Sequence, residues 1–371
     1  MTVAEQADAP VRVRVLGTGL IGTSVGLALT RAGYDVTLSD PSPTAMSLAR
    51  DLGAGRLAQS DDAPPQVVVV GAPPDITGTV VAQQLDAWPE ATVIDVASVK
   101  RAVFTDVERA GADISRFVGT HPMAGRERSG AISARRDLFE GRPWVIVAHT
   151  ASEPERVRQA VALAEATGAV VRRMSARDHD EAVAAVSHVP QLASSLVAAR
   201  LRGLPIDSVA LAGQGVRDVT RIAASDPTLW TQILSGNADA VRAVLGELAV
   251  DLEQLVAALE LIGDDPDREA PGARATLAEA IVAGNAGQAR IPGKHGSDPT
   301  AYAVVTVAVP DRPGQLARLL TEIGEENVNL EDLHLEHEIG RSVGIAEVLV
   351  VPAAADPLRE ALVRRGWRVY D

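Results

Sequence analysis

The 371-residue chain contains no cysteine, so it carries neither a disulfide framework nor a thiolate metal site. It has no run of about 18 uninterrupted apolar residues, the length that a membrane-spanning helix needs. Net positive charge is absent: the net charge is −14 and the pI near 5.0, which argues against a nucleic acid or an anionic membrane as partner. The first ten residues lack the basic and apolar regions of a secretory signal. We therefore expect a cytoplasmic protein, and no His, Asp or Glu cluster has the spacing of a metal site.

The first part of the chain alternates short β-branched runs with helical patterns, which predicts βαβ units and a Rossmann-type parallel sheet over residues 11–176. Residues 177–286 show apolar side chains at spacings of three and four, which predicts an all-helical domain with apolar faces suited to a dimer interface. Residues 287–300 contain Gly, Pro and Lys and are typical of a linker. Residues 301–371 follow a β-α-β-β-α-β pattern, as in a ferredoxin-like α+β domain.

A glycine-rich segment, "GTGLIG", follows the first predicted strand and opens a helix. In such a fingerprint Gly17 permits the tight turn, Gly19 lets the backbone approach a pyrophosphate, and Gly22 lets helix and sheet pack closely. The first helical turn, with Leu20 and Ile21, would present free N–H groups to the phosphates. The alternative is three glycines that serve an ordinary turn between a strand and a helix.

The second predicted strand ends in Asp40, at the spacing where a carboxylate meets a ribose of a bound dinucleotide. A carboxylate there bonds the 2′-hydroxyl of NAD and repels the 2′-phosphate of NADP. The next three residues, 41–43, supply no Arg or Lys that would receive this phosphate. The sequence therefore predicts NAD as the cofactor.

A nicotinamide site needs a group that accepts the proton of the alcohol being oxidised. The chain has only two lysines, Lys100 and Lys294, and histidine titrates near neutrality, so a histidine is favoured. His121 lies just beyond a predicted strand end, and Pro122 restricts it to extended backbone geometry. A hydrogen-bonded loop histidine without a catalytic role remains the alternative.

Five motifs resemble those of the prephenate dehydrogenases, the TyrA family, and recur in the family's order over residues of about 11 to 285: "GTGLIGTS", "DVASVK", "GTHPMAGRERSG", "SHVPQLAS" and "GVRDVTRIAASDPTLW". The C-terminal segment with "VPDRPGQLARLL" resembles an ACT domain, which some members carry. The resemblance implies oxidative decarboxylation of prephenate to 4-hydroxyphenylpyruvate with NAD, in a homodimer or higher oligomer.

Carried onto this chain, the resemblance makes His121 the catalytic histidine that hydrogen-bonds the ring hydroxyl, with Ser98 near that hydroxyl and the nicotinamide. Arg221 would grip a substrate carboxylate, a task that suits the planar fork of a guanidinium. An exposed arginine paired with Asp218 is the alternative for Arg221. The pocket and its entrance would include four further residues: Glu127, His188, Asp218 and Trp230.

Two positions depart from the family pattern. Gln191 stands where some relatives carry a second histidine, and as a substrate-lining amide it offers the ammonium of arogenate less than a carboxylate would. This favours prephenate, with arogenate dehydrogenase as the alternative. Arg126 and Arg128 flank Glu127, and either anion contacts or a solvated face would account for them.

In the C-terminal segment, Pro313 and Gly314 mark a turn from strand to helix, and Asn329 opens the next strand region. By resemblance, Asp311, Gly314 and Asn329 are candidate contacts for an effector, and tyrosine is the ligand expected for feedback. A module that only dimerises is the alternative, since this fold hosts many functions.

Two other functions are alternatives for the whole chain. A non-catalytic amino-acid or NAD sensor would predict a damaged site, whereas the residues named above are all present. A β-hydroxyacid dehydrogenase would need a lysine in the helical domain, where there is none. The remaining histidines His149, His179 and His295 are interpreted as structural or solvent-facing, and His334 and His337 as exposed or effector-region residues.

Overall fold

An eight-stranded sheet occupies the N-terminal part of the computed structural model, which describes residues 9–125, 130–265, 269–291, 302–337 and 343–370. The strand order is β3-β2-β1-β4-β5-β6-β7-β8. The strands are β1 Arg12–Leu16, β2 Asp35–Ser39, β3 Arg56–Leu57, β4 Val67–Val70, β5 Thr92–Asp95, β6 Phe117–Pro122, β7 Pro143–Ala148 and β8 Val170–Arg173.

Both faces of this sheet are buried, which is why its central strands are runs of valine and isoleucine. Successive side chains of β4 point to opposite faces: Val67 and Val69 join one apolar cluster, and Val68 and Val70 join another. The covering helices are α1 Leu20–Arg31, α2 Pro43–Asp51, α3 Thr77–Ala87, α4 Arg101–Arg109 and α5 Pro154–Ala166.

The predicted parallel sheet contains one antiparallel pairing. Strand β7 runs antiparallel to β6, with His121 opposite Val145 and Pro122 opposite Trp144. The connection between them has no crossover helix in its described part, only a 3₁₀ turn at Ala131–Ser133, and a parallel pair needs such a crossover. Helix α5 then supplies one, and β8 is parallel to β7.

Between Ala176 and Gln288, the elements that the structure describes are helices, as predicted. The helices are α6 Ala176–Val183, α7 Val189–Arg200, α8 Ile206–Val209, α9 Gln214–Thr220, α10 Pro227–Gly236, α11 Ala238–Asp264 and α12 Ala273–Gln288. A π-helical turn, Ala184–His188, joins α6 to α7. Helix α12 extends over the first two residues of the expected linker, 287 and 288, and residues 292–300 of that linker lie outside the described part.

By length and composition alone, the helical run Ala176–Gly203 would be able to cross a membrane, although the core helix of a soluble protein has the same properties. Its N-terminal turns carry His179 and Asp180, which are buried and hydrogen-bonded. Many large apolar side chains of the helical region are exposed, among them Leu196, Ile206, Leu211, Leu252 and Ile281.

The last part of the chain forms a four-stranded antiparallel sheet in the order β10-β11-β9-β12. Its elements follow one another as β9 Ala303–Pro310, α13 Gln315–Glu325, β10 Asp332–His337, β11 Val343–Val350, α14 Pro352–Arg364 and β12 Arg368–Tyr370. Both helices pack on the apolar core of this sheet, which includes Val307, Leu319, Val348 and Leu358. The chain divides into two compact units, Met1–Ala249 and Val250–Asp371.

Candidate active site

The loop between β1 and α1 has the backbone that a dinucleotide fingerprint requires. Gly17 has φ +88°, and a Cβ there would lie 2.2 Å from the carbonyl oxygen of Gly71. A Cβ on Gly22 would lie 1.9 Å from the carbonyl oxygen of Gly17, so these two positions must be glycine for packing. A Cβ on Gly19 would meet nothing within 4 Å, so the structure keeps an open approach beside this residue.

Asp40 reaches this loop from the end of β2. Its carboxylate accepts hydrogen bonds from the backbone N–H of Thr18 at 2.6 Å and from the Thr18 hydroxyl at 2.9 Å. The other oxygen accepts from the N–H of Ser42 at 2.7 Å. The carboxylate is half-buried and is held beside the loop, with lone pairs left for a ribose hydroxyl.

The first turn of α1 begins at Leu20, and no side chain caps it. The N–H groups of this turn therefore have no intrahelical acceptor and point outward with the positive end of the helix dipole. Leu20 is buried and Ile21 half-buried against the sheet, so their contribution is the backbone N–H rather than the side chain. The open glycine, the helix N-terminus and the Asp40 carboxylate together fit a bound dinucleotide.

His121 lies at the carboxyl end of β6, on the same edge of the sheet as this loop, because β1, β4, β5 and β6 are parallel. Three strand spacings separate β1 from β6, about 14 Å at the usual interval. The backbone of His121 is held in the sheet by its pairing with Val145. Its ring is half-buried, so part of it remains accessible.

The ring of His121 is hydrogen-bonded to a second histidine. His121 Nδ1 lies 2.9 Å from Nε2 of His179, and the two rings meet edge to face at 5.1 Å between centroids. His179 Nδ1 lies 2.8 Å from an oxygen of Asp180. Both His179 and Asp180 are buried, with 0% and 1% exposure.

A buried ion pair between Lys100 and Asp95 contacts the strand next to His121. The ammonium of Lys100 contacts the Asp95 carboxylate and donates at 2.6 Å to the carbonyl oxygen of Thr120, the residue before His121. Asp95 also accepts from the N–H groups of Ala97 and Thr120, each at 3.0 Å. Burial lowers the pKa of Lys100, an effect that Asp95 opposes. This network fixes the end of β6 and the loop that carries Ser98.

The electrostatics keep His121 neutral. Desolvation lowers its pKa well below the ordinary value of 6.5, and His179, Lys100 and His188 act in the same direction. The ring is therefore an unprotonated acceptor at neutral pH, as a general base must be.

His188 is the last residue of the π-helical turn and is 1% exposed. Its Nδ1 lies 3.2 Å from Nδ2 of Asn237, which also donates at 2.7 Å to the carbonyl oxygen of Asp180. The amide donor assigns the proton of His188 to Nε2. Burial lowers its pKa to about 4, so the ring is neutral. Trp230 lies edge to face with it at 6.1 Å between centroids.

Helix α10, which carries Trp230, packs against the strand ends. A Cβ on Gly236 would meet the side chain of Val99 at 3.0 Å, next to Ser98. Gln232 donates at 3.0 Å to Asp75, in the connection after β4. The helix thereby brings Trp230 and His188 to the edge that carries His121.

The remaining predicted site residues are placed differently. Gln191 is buried, and its amide donates to the carbonyl oxygen of Ile222 at 2.9 Å and accepts from the Ser225 hydroxyl at 3.3 Å. Its polar atoms are thus engaged by the turn that contains Arg221, which is exposed in the 3₁₀ turn Arg221–Ala223. Asp218 is exposed on α9 and accepts from Gln214 at 2.8 Å. Glu127, Arg126 and Arg128 lie outside the described residues.

Comparison with known proteins gives this site a context. A profile of the prephenate dehydrogenase nucleotide-binding domain matches residues 25–173, and one of the prephenate dehydrogenase dimerization domain matches residues 175–271. The probable prephenate dehydrogenase NovF of Streptomyces niveus is 36% identical over 359 residues, which cover 95% of this chain and 98% of that protein. The chain belongs to the prephenate dehydrogenase family.

Two further relatives of this family are similar to the chain. The cyclohexadienyl dehydrogenase of Zymomonas mobilis is 29% identical over 258 residues, which cover 67% of this chain and 88% of that protein. The crystal structure of prephenate dehydrogenase from Aquifex aeolicus, in complex with hydroxyphenyl propionate and NAD⁺, has a TM-score of 0.65 at 26% identity. It covers 76% of this chain and all of that one.

Membership of the prephenate dehydrogenase family confirms the predicted enzyme class, a dehydrogenase with a nucleotide-binding sheet and a helical dimerisation domain. His179, interpreted from the sequence as structural or solvent-facing, contacts His121. Its neighbours Asp180 and Asn237 were not singled out. One signal in the sequence was Asp180, an acidic residue directly after His179.

Proposed function

We propose that this family member uses NAD to oxidise and decarboxylate prephenate to 4-hydroxyphenylpyruvate. The observation that carries the proposal is the placement of a neutral His121 at the same sheet edge as the Gly17–Gly22 loop and Asp40. Cofactor and proton acceptor are then adjacent, as hydride transfer from an alcohol carbon requires.

When bound, NAD would supply the acceptor for the hydride that leaves the ring carbon bearing the hydroxyl. His121 accepts the hydroxyl proton as the carbonyl forms. This carbonyl is conjugated to the carbon that bears the ring carboxylate, so it takes up the electron pair left by departing CO₂. The oxygen then recovers the proton from His121, and the product ring is aromatic. The atoms balance with one hydride and one CO₂ lost from the substrate.

The other residues would bind and orient the substrate. Ser98 is half-buried in the loop after β5, and its hydroxyl would bond the reacting oxygen or the nicotinamide. His188 would donate its Nε2–H, since Asn237 occupies Nδ1. Arg221 would hold a carboxylate, with Glu127, Asp218 and Trp230 lining the pocket and its entrance. Gln191 supports this pocket through Ile222 and Ser225.

Substrate choice rests on one feature. The amide of Gln191 is neutral and engaged, so it offers no anion to the ammonium that distinguishes arogenate from prephenate. We therefore assign prephenate, and arogenate is the alternative that the experiment below distinguishes.

We also propose that residues 301–371 form an ACT domain that binds tyrosine. Gly314 has φ +87° and begins α13 without a side-chain cap, so the turn with Asp311 presents backbone N–H groups. A cavity of about 360 Å³ lies beside this turn, lined by Pro310, Gln315, Arg318, Trp367 and Tyr370 among others. Asn329 is exposed and donates to Glu331 at 2.8 Å.

The assembly we propose is a cytoplasmic homodimer or higher oligomer. The exposed apolar side chains of the helical region support an interface between copies of the chain, because soluble monomers rarely expose large apolar patches. The division into a nucleotide-binding domain over 11–176, a helical domain over 177–286 and a regulatory domain over 301–371 completes the proposal.

NADH formation with purified prephenate tests the function, with His121→Asn as the variant. We expect kcat to fall by about 10²–10⁴-fold, the usual contribution of a general base, because asparagine cannot take up the proton. NAD binding should persist, since the glycine loop that would hold its phosphates follows β1, three strand spacings from the strand that carries His121. Equal NADH formation by the variant would contradict the assignment of His121. A higher kcat/KM on arogenate than on prephenate would overturn the substrate choice.

A further inference from the structure

His121 stands at the end of a hydrogen-bonded chain that the proposed mechanism does not use. The chain runs from His121 Nδ1 to His179 Nε2 at 2.9 Å and from His179 Nδ1 to Asp180 at 2.8 Å. It ends at the start of α4, where the two oxygens of Asp180 accept from the N–H groups of Lys100 and Arg101, each at 2.9 Å.

These contacts determine which ring nitrogen carries each proton. The Asp180 carboxylate has only lone pairs to offer, so His179 carries its proton on Nδ1. In the neutral ring, Nε2 of His179 is then an acceptor, and His121 Nδ1 must donate to it. The lone pair of His121 is left on Nε2, the nitrogen that faces away from His179.

We propose that His179, held by Asp180, is a positioning residue that fixes His121 in the Nδ1–H tautomer and so keeps Nε2 as the proton acceptor. The inference rests on the proposed function only for what Nε2 accepts, namely the substrate proton. A histidine in the other tautomer presents an N–H to the substrate hydroxyl and has no lone pair there.

The surroundings of Asp180, the last residue in this series of hydrogen bonds, suit it to hold His179 in place. Asp180 is 1% exposed, and its oxygens are solvated by backbone N–H groups at a helix N-terminus, whose dipole favours negative charge. When His121 becomes positively charged during the reaction, its Nδ1–H bond to His179 connects it to this anion. The arrangement follows the logic of an aspartate that orients a catalytic imidazole, with one histidine inserted between them.

A purely structural role is the competing explanation: the network would only hold α6 against α4. That role would be expressed in stability, whereas a positioning role is expressed in the tautomer of His121 and in kcat. His179→Phe removes the acceptor for His121 Nδ1–H at similar size. His179→Gln retains a carbonyl oxygen that is able to accept from it.

The experiment combines histidine-selective ¹⁵N labelling of the full chain, which has seven histidines, with steady-state NADH formation. In the wild type we expect the ¹⁵N shifts of His121 to report protonated Nδ1 and unprotonated Nε2. In His179→Phe they should report a mixture of tautomers, with kcat lowered on the order of 10²-fold and KM nearly unchanged. His179→Gln should recover most of the Nδ1–H tautomer and part of kcat.

His149→Gln is the matched control. His149 contacts Glu108 and Phe104, which take no part in the hydrogen bonds that link His121 to Asp180. It should leave the His121 tautomer and kcat unchanged. An unaltered His121 tautomer in His179→Phe would overturn the inference, as would a loss of kcat in His179→Gln equal to that in His179→Phe. Absence of NADH formation by the wild type would instead reject the proposed function, while the ¹⁵N shifts would still test the tautomer.

Discussion

The eight-stranded and the four-stranded sheets enclose different kinds of side chain. Around the first, five ionisable side chains are at most 1% exposed: Asp95, Lys100, His179, Asp180 and His188. Around the second, within residues 302–337 and 343–370, every side chain that the structure describes as buried is apolar.

The difference indicates where chemistry takes place. Burying a charge is costly unless it is paired and hydrogen-bonded, and replacing a buried pair by apolar groups is often neutral or stabilising. A gain in stability alone therefore does not explain why Asp95, Lys100 and Asp180 are buried. Their hydrogen bonds reach Thr120, which precedes His121, and His179, which contacts its ring, as well as the start of α4. The small sheet has an ordinary core and offers its polar groups at the surface, as a binding module would.

The largest expected effect is the loss of stability when the buried ion pair of Lys100 and Asp95 is broken. Lys100→Met leaves the Asp95 carboxylate buried without its cation, and we expect the free energy of unfolding to fall by about 3–5 kcal/mol in denaturant titrations. The double variant Asp95→Asn/Lys100→Met should recover part of this loss, since the uncompensated charge is gone.

The matched control is Arg31→Met, which breaks the pair with Glu140. Both side chains are more than half exposed, so the change should stay within about 1 kcal/mol. A loss for Lys100→Met as small as that of the control would mean that the charged groups around the first sheet are not special.

Lowering the pH should affect the region around the eight-stranded sheet before it affects the four-stranded sheet. The pKa of His121 lies well below 6.5 and that of His188 at about 4, so activity should be flat across neutral pH and fall only at lower pH, as His121 takes up a proton. Stability should also fall as pH decreases from 6.5 towards 4. In this range the two histidines bind protons in the unfolded chain but remain unprotonated in the folded protein, so acid favours unfolding.

The pH profiles of kcat and of Tm measure the two effects. His334 of the small sheet has a half-exposed side chain and pairs with Asp332, so His334→Gln should change neither profile in this range. A kcat profile that still rises above pH 6.5 would show that His121 is not held neutral as its surroundings require.

The smallest expected effect concerns the proposed regulation. Tyrosine should change NADH formation severalfold, and Asp311→Ala or Asn329→Ala should weaken that response while leaving basal activity unchanged. Removing residues 300–371 should abolish the response. Asp356→Ala, exposed at the start of α14, is the control. A tyrosine response that survives in the truncated chain would reject the effector site.

Much of the fold was predictable from local patterns. Seven of the eight strands of the first sheet were expected from β-branched runs, and the missed one, Arg56–Leu57, has only two residues. The antiparallel pairing of β7 was not predictable from such runs, because strand direction depends on the connection rather than on the strand's composition. The glycine loop was predicted with its roles, since a φ of +88° at Gly17 is a local requirement.

The contacts of the candidate site were less predictable. His121 was proposed from its position at a strand end, and its role stays a prediction; its contact with His179 was not foreseen, since His179 lies 58 residues away in sequence. His179 and His188 are nine residues apart, about two and a half turns of a regular α-helix, so helical periodicity places them on opposite faces. The π-helical turn Ala184–His188 alters that register and lets Asn237 contact both His188 and the backbone of Asp180.

By itself the amino-acid sequence determined the elements, the glycine turn after β1 and the histidine that we propose as proton acceptor, since periodicity, glycine geometry and the chemistry of imidazole are properties of short segments. The tertiary structure decided what that acceptor is able to do. It brought His179, Asp180 and Lys100 against His121 and excluded water from them, and the resulting desolvation and hydrogen bonds set the charge and the tautomer of the ring. Both depend on groups that are distant along the chain and adjacent only after folding.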